Sequence, residues 1–168
     1  DSIGEIRSGI GKLLLGARRL DDGIAIHYSQ ASVHAGTLLG RRPGDAQWAF
    51  AQLVEDLGYQ HRMLSYEEIE QGKLEDYRVL LMPACTALSR KEAEAIRGFV
   101  QRGGLVIADT LPGILENDGY LPPAGLLDDL FGVSRSGLPK QEGAKPIRLR
   151  HDGNDVESGF TVYDTAVK

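Results

Sequence analysis

Residues 77–109 read YRVLLMPACTALSRKEAEAIRGFVQRGGLVIAD, and the fold follows from this stretch. An apolar run, Val79, Leu80, Leu81 and Met82, ends at Pro83. A turn leads to Ser89-Arg90-Lys91-Glu92, where Ser89 and Glu92 have the spacing of a capping box that opens a helix. Ala93, Ile96, Phe99 and Val100 recur at helical spacing and predict one apolar stripe. Gly103 suits the left-handed residue that ends a helix. A second apolar run, Leu105, Val106, Ile107 and Ala108, ends on Asp109. Unbroken apolar strands around an amphipathic helix predict a βαβ unit in a parallel sheet buried on both faces. Ligands of such sheets bind at the carboxyl ends of the strands, which places candidate chemistry at residues 84–89 and 109–113.

Working outward, residues 24–29 (IAIHYS) predict a first strand, residues 61–65 a short second strand, and residues 66–72 a short acidic helix. Between the first two strands, residues 30–44 read as a long loop. Asp45 then caps a helix with Ala46, Ala49, Phe50, Leu53, Val54 and Leu57 toward the core and Gly58 at its end. Trp48 reads as a packing residue, a core or interface anchor. Beyond the opening block come a Pro- and Gly-containing loop, a helix near residues 125–131, a Gly/Pro/Ser-rich stretch, and a strand near residues 147–150. The last twenty residues carry no strong period, so the sheet is expected to stop short of its final strands. At the other end, residues 2–16 predict a helix with Ile3, Ile6, Ile10, Leu13 and Leu14 on one side. Its four glycines cost roughly 1 kcal/mol each relative to alanine, so it is expected to depend on packing against something else.

The 168 residues suffice for one domain with a core. A 42% hydrophobic and 26% charged composition is that of a globular protein. No apolar run approaches the roughly 20 residues of a membrane helix, and no signal peptide is apparent, so no membrane partner is expected. The net charge of −5 disfavours nucleic acid. Acids cluster at residues 55–76 and bases at residues 135–151; solvated faces are the plainer reading and a subunit contact the sharper one. One cysteine excludes an internal disulfide and a cysteine zinc cluster without fixing the compartment, for which the cytoplasm is preferred.

Candidate site residues gather at the predicted strand ends: His27 and Ser29, Cys85, and Asp109 with Thr110. Cys85 precedes a helix, where a nucleophile can be activated, but needs a base within reach, and no histidine spacing implies a dyad. A structural cysteine is therefore the preferred reading. Asp109 reads first as a cap on local backbone N–H groups. The histidines are too scattered for a metal site, and phosphate-binding glycine motifs are absent. No cofactor is expected.

The segments IAIHYSQAS, a Trp-containing helix, EDLGYQHRMLSYEEIEQG, the block from DYRVLL to LPGI, and LLDDLFGV follow in that order. Together, over residues 24–133, they resemble the middle, trimerisation domain of bacterial beta-galactosidases of glycoside hydrolase family forty-two. The resemblance implies an α/β, three-layer, flavodoxin-like parallel sheet with helices on both faces, of the class I glutamine amidotransferase-like kind, here truncated at its C-terminus. It implies residues 1–20 as a helical connection from a preceding domain and residues 21–168 as the trimerisation domain. It further implies a non-catalytic assembly role, with a catalytic barrel of the same parent chain and a homo-oligomer, a trimer, as partners. In that family the barrel supplies both catalytic glutamates, so no catalytic residue is carried over. The amidotransferase nucleophile would fall on the turn after residues 105–109, where this chain has Asp109 and Thr110, and the late His-x-Glu is missing. Two rival readings remain: a cysteine-dependent hydrolase using Cys85, and a small-ligand module built on His27, Ser29, Cys85 and Asp109.

Overall fold

A computed structural model describes residues 2–17, 20–38, 42–109, 111–135, 138, 145–151 and 154–162. Four parallel strands form the main sheet in the order β2-β1-β3-β5: β1 (Ile24–Tyr28), β2 (Arg62–Ser65), β3 (Val79–Met82) and β5 (Leu105–Ala108). Ile26 lies opposite Leu81 in the β1–β3 pair, and Leu81 opposite Ile107 in the β3–β5 pair. Helices on both faces complete the flavodoxin-like, three-layer α/β arrangement. A short parallel pair, β4 (Ala87–Leu88) with β6 (Leu115–Glu116), extends beyond the strand ends. β7 (Lys145–His151) and β8 (Asn154–Val162) form a separate antiparallel pair.

Alternation along the strands sorts the core. Ala25, Leu80 and Met82 pack with Ala93, Ile96 and Phe99 of α6 (Arg90–Gln101) on one face. Ile26 and Leu81 pack with Val54, Phe50 and Ala51 of α4 (Pro43–Asp56) on the other. Capping boxes open both α6, with Ser89 and Glu92, and α5 (Tyr66–Glu70), with Ser65 and Glu68. Gly103, at φ 93°, ends α6 in the left-handed region. Its neighbour Gly104 leaves no room for a side chain, since a Cβ there would stand 2.4 Å from the Phe99 ring.

Several expectations are corrected. Residues 30–38, read as loop, form α3 (Gln30–Leu38). The Ser29 hydroxyl accepts the Ser32 N–H, the N-cap geometry that starts that helix. Helix α4 begins at Pro43, whose fixed φ suits a first helical position. Its Ala49, Leu53 and Leu57 face outward, because Val54 and Phe50 set the sheet-facing side. Trp48 is 68% exposed rather than packed in the core. Strand β8 occupies the tail, where no strong period was read. The sheet is not covered throughout: β5 leaves Leu105 54% and Ile107 44% exposed, on the face that α4 covers over β1 and β3. Residues 2–16 are helical as α1 (Ser2–Glu5), a π-helical turn (Ile6–Ile10) and α2 (Gly11–Gly16). Their apolar side, Ile3, Ile6, Ile10, Leu13 and Leu14, lies exposed.

Of the clustered charges, Glu68 pairs with Arg62 and Lys73, and Glu70 with Lys91. Most of the basic stretch lies outside the residues whose side chains are described; Arg135 pairs with Asp128. Among the described residues no helix is long and apolar enough to cross a membrane.

Ser89→Ala removes the cap of α6 and should lower stability by about 1 kcal/mol, whereas Gly104→Ala should cost about 1–3 kcal/mol by forcing the Phe99 ring aside; urea unfolding measures both. The Lys73 ammonium, the Ser65 N–H and Arg62 hold the Glu68 carboxyl below its ordinary range, and Arg97 does the same for Asp129. Carboxyls depressed in the folded state stabilise it above their unfolded pKa and lose that contribution as pH falls through the folded value. Unfolding midpoints should therefore drop below pH 4.5, the ordinary glutamate value here, and Arg97→Met should flatten that acid limb.

Candidate functional site

Strand pairing assembles the site. On β1, His27 shares a face with Ala25 and so points toward the α6 layer. With Ile26 level with Leu81, His27 comes level with the end of β3, where the chain turns through Pro83 and Ala84 to Cys85. Nδ1 of His27 lies 3.2 Å from Cys85 Sγ. Its Nε2 lies 2.9 Å from Oε1 of Glu92. All three side chains are buried, at 0%, 0% and 2% exposure for His27, Cys85 and Glu92. Sequence spacing implied no dyad, yet fold topology brings this histidine and the cysteine together from positions 58 residues apart.

Glu92 has two tasks. Oε2 accepts the Ser89 N–H at 2.6 Å, closing the capping box, while Oε1 faces the imidazole. Nε2 and Oε1 are close without the alignment of a hydrogen bond, so their contact is electrostatic. Ser89 Oγ donates to Glu70 at 2.6 Å, and Glu70 pairs with the exposed Lys91. A polar chain thus runs from the surface through Glu70, Ser89 and Glu92 to His27 and Cys85. Sequence reading missed Glu92 because it took the residue as a cap alone. The usable signal was its place four residues before Ile96 and seven before Phe99, on the buried stripe.

The thiol is surrounded by acceptors. Sγ approaches the carbonyl oxygens of Pro83 at 3.5 Å and His27 at 3.9 Å. Burial pushes the Cys85 thiol well above its ordinary pKa, and the negative charges of Asp109 and Glu92 push it further. In this conformation Cys85 is a protonated donor rather than a nucleophile.

The remaining candidates divide. Ser29 is buried and engaged: its hydroxyl donates to the Ala87 carbonyl at 2.8 Å, and Ser32 Oγ accepts the Ala87 N–H at 2.9 Å. These bonds tie α3 to β4. Asp109 is exposed, and its Oδ1 accepts the Ala84 N–H at 2.6 Å. That bond holds Ala84 at φ 48°, a left-handed conformation unusual for a residue with a Cβ. Thr110 lies outside the described residues. Glu116, near Asp109 in sequence, pairs with Arg90. Among the described residues no cluster of histidine, cysteine and carboxylate groups could hold a metal ion.

The buried pair has a measurable consequence. His27→Leu strips Glu92 of its partner, and an uncompensated buried charge costs about 3–5 kcal/mol. Glu92→Gln keeps the amide within reach of Ser89 and removes the charge, so it should cost distinctly less. Denaturant midpoints of the two variants give the comparison, and equal losses would contradict the charged contact.

No protein-family profile and no curated protein matches the sequence. Solved structures do match in fold. A beta-galactosidase from Bacillus circulans sp. alkalophilus aligns at TM-score 0.68 and 20% identity over 89% of this chain and 22% of its own. A beta-galactosidase from the Antarctic haloarchaeon Halorubrum lacusprofundi aligns at TM-score 0.62 and 23% identity over 71% and 18%. The beta-galactosidase from Bifidobacterium adolescentis aligns at TM-score 0.61 and 18% identity over 70% and 56%. This chain therefore spans between 18% and 56% of these three proteins, and it has the fold of a region within them.

Proposed function

We propose that this chain is a non-catalytic assembly domain of a glycoside hydrolase of the beta-galactosidase type, which supports a homo-oligomer, a trimer, and walls a neighbouring active site. The observation that carries the reading is the fold match, which covers most of this chain but about a fifth of two of the beta-galactosidases. The cleft chemistry agrees with it, since burial and the neighbouring carboxylates keep the Cys85 thiol protonated in this conformation. In the parent enzyme two carboxylates supplied by a preceding barrel would cleave the glycosidic bond. Residues 1–20 serve as the connection to that barrel. The exposed apolar side of the α1–α2 helix supports this role, because isolated helices of this length are marginal and need a surface to pack on.

Light scattering on the parent protein tests the assembly role. A trimer is expected, and a monomeric parent removes the role. The isolated chain should leave a chromogenic galactoside uncleaved. The rival reading, a cysteine-dependent hydrolase, predicts an amidase or esterase activity of the isolated chain that Cys85→Ala abolishes; that result would overturn the assembly reading.

A further inference from the structure

We propose that Cys85, His27 and Glu92 form a gated thiol site, closed in this conformation, that takes a small, uncharged, soft electrophile when the Pro83–Ala84 turn swings open. The order of groups supports a reacting thiol: Sγ faces one imidazole nitrogen and a carboxylate faces the other. Such an order lets the imidazole take the thiol proton while the carboxylate orients the ring. Nε2 and Oε1 are buried and face each other at 2.9 Å without hydrogen-bond alignment. A buried polar group without an aligned partner is costly, and its retention calls for a role.

The gate is the turn beside the thiol. Ala84 holds a left-handed backbone, which is strained for a residue with a Cβ, and the Asp109 carboxylate clamps its N–H. Release of that clamp relieves the strain and moves the residue next to Cys85. Charge selects the ligand, because Asp109 and Glu92 both act on the thiol electrostatically and repel anions. With iodoacetamide as the probe, the thiol proton passes to Nδ1 of His27, a sulfur–carbon bond forms, the carbon–iodine bond breaks and iodide leaves. This site is independent of the assembly role, and its failure would leave that reading untouched.

Alkylation of the folded full chain by iodoacetamide, followed by mass spectrometry, tests the proposal. The wild type should react faster than its global unfolding rate in urea-extrapolated water allows. Asp109→Asn should react at least tenfold faster, since it weakens the clamp. Ala84→Gly should react roughly three- to fivefold slower, because glycine adopts the closed backbone without strain. Iodoacetate should be at least tenfold slower than iodoacetamide. In His27→Gln the rate should climb tenfold per pH unit, as for an unassisted thiol, with a shallower slope in the wild type; a slope is unaffected by how often the turn opens. Equal rates in the wild type, Asp109→Asn and Ala84→Gly, all matching global unfolding, would overturn the gate. Equal slopes with and without His27 would overturn the base, and equal rates for the two probes would overturn the ligand class.

Discussion

Backbone amides removed from water need partners, and in a parallel sheet the register that pairs them also fixes where each strand ends. Here the β1–β3 pairing is the element on which the rest depends. Setting Ile26 against Leu81 sends Ala25 and His27 toward α6, and Ile26 toward α4. A slip of one residue would exchange the two faces, put an imidazole under α4 and bring an isoleucine to the capping end of α6. The same register brings the end of β1 level with the turn after β3, which is why a histidine and a cysteine distant in sequence touch. Both cores and the polar cluster are consequences of one alignment.

Burying an imidazole and a carboxylate between a sheet and a helix is costly unless each is compensated. The chain meets that cost with groups already present for other reasons. Ser89 and Glu92 are needed to start α6, and the second oxygen of the capping glutamate is what reaches His27. Helix start and sheet-to-helix docking therefore share one side chain. Serines do similar double duty on the other side of the strand ends, where Ser29 starts α3 and holds the β4 backbone.

Much of this was legible in the sequence. The βαβ unit followed from apolar runs, a capping box and paired glycines, because those signals are local and agree with one another. Helix α3 was not legible by the same means: its residues, QASVHAGTL, are small and polar with no strong stripe, and only Ser29 marks its start. The outward turn of Leu53 and Leu57 was hidden for the opposite reason, since α4 is apolar on more sides than the sheet can cover. His27 and Cys85 are legible in the sequence as strand-end residues, but their contact depends on sheet order, which spacing along one chain does not encode. Glu92 was recognised for one oxygen and missed for the other.

Strand β5 carries one more implication. Its sequence, LVIA, has no charge and no proline, its outer edge is unpaired among the described residues, and Leu105 and Ile107 stand open to solvent. Natural sheets guard such edges with lysine, proline or a bulge, because an open row of amides is a template for any extended chain. Among the described residues nothing guards this edge, so in concentrated solution it can pair with the same edge of a second copy. Substitution at positions 105 and 107 is thereby constrained by solubility as much as by the strength of the core.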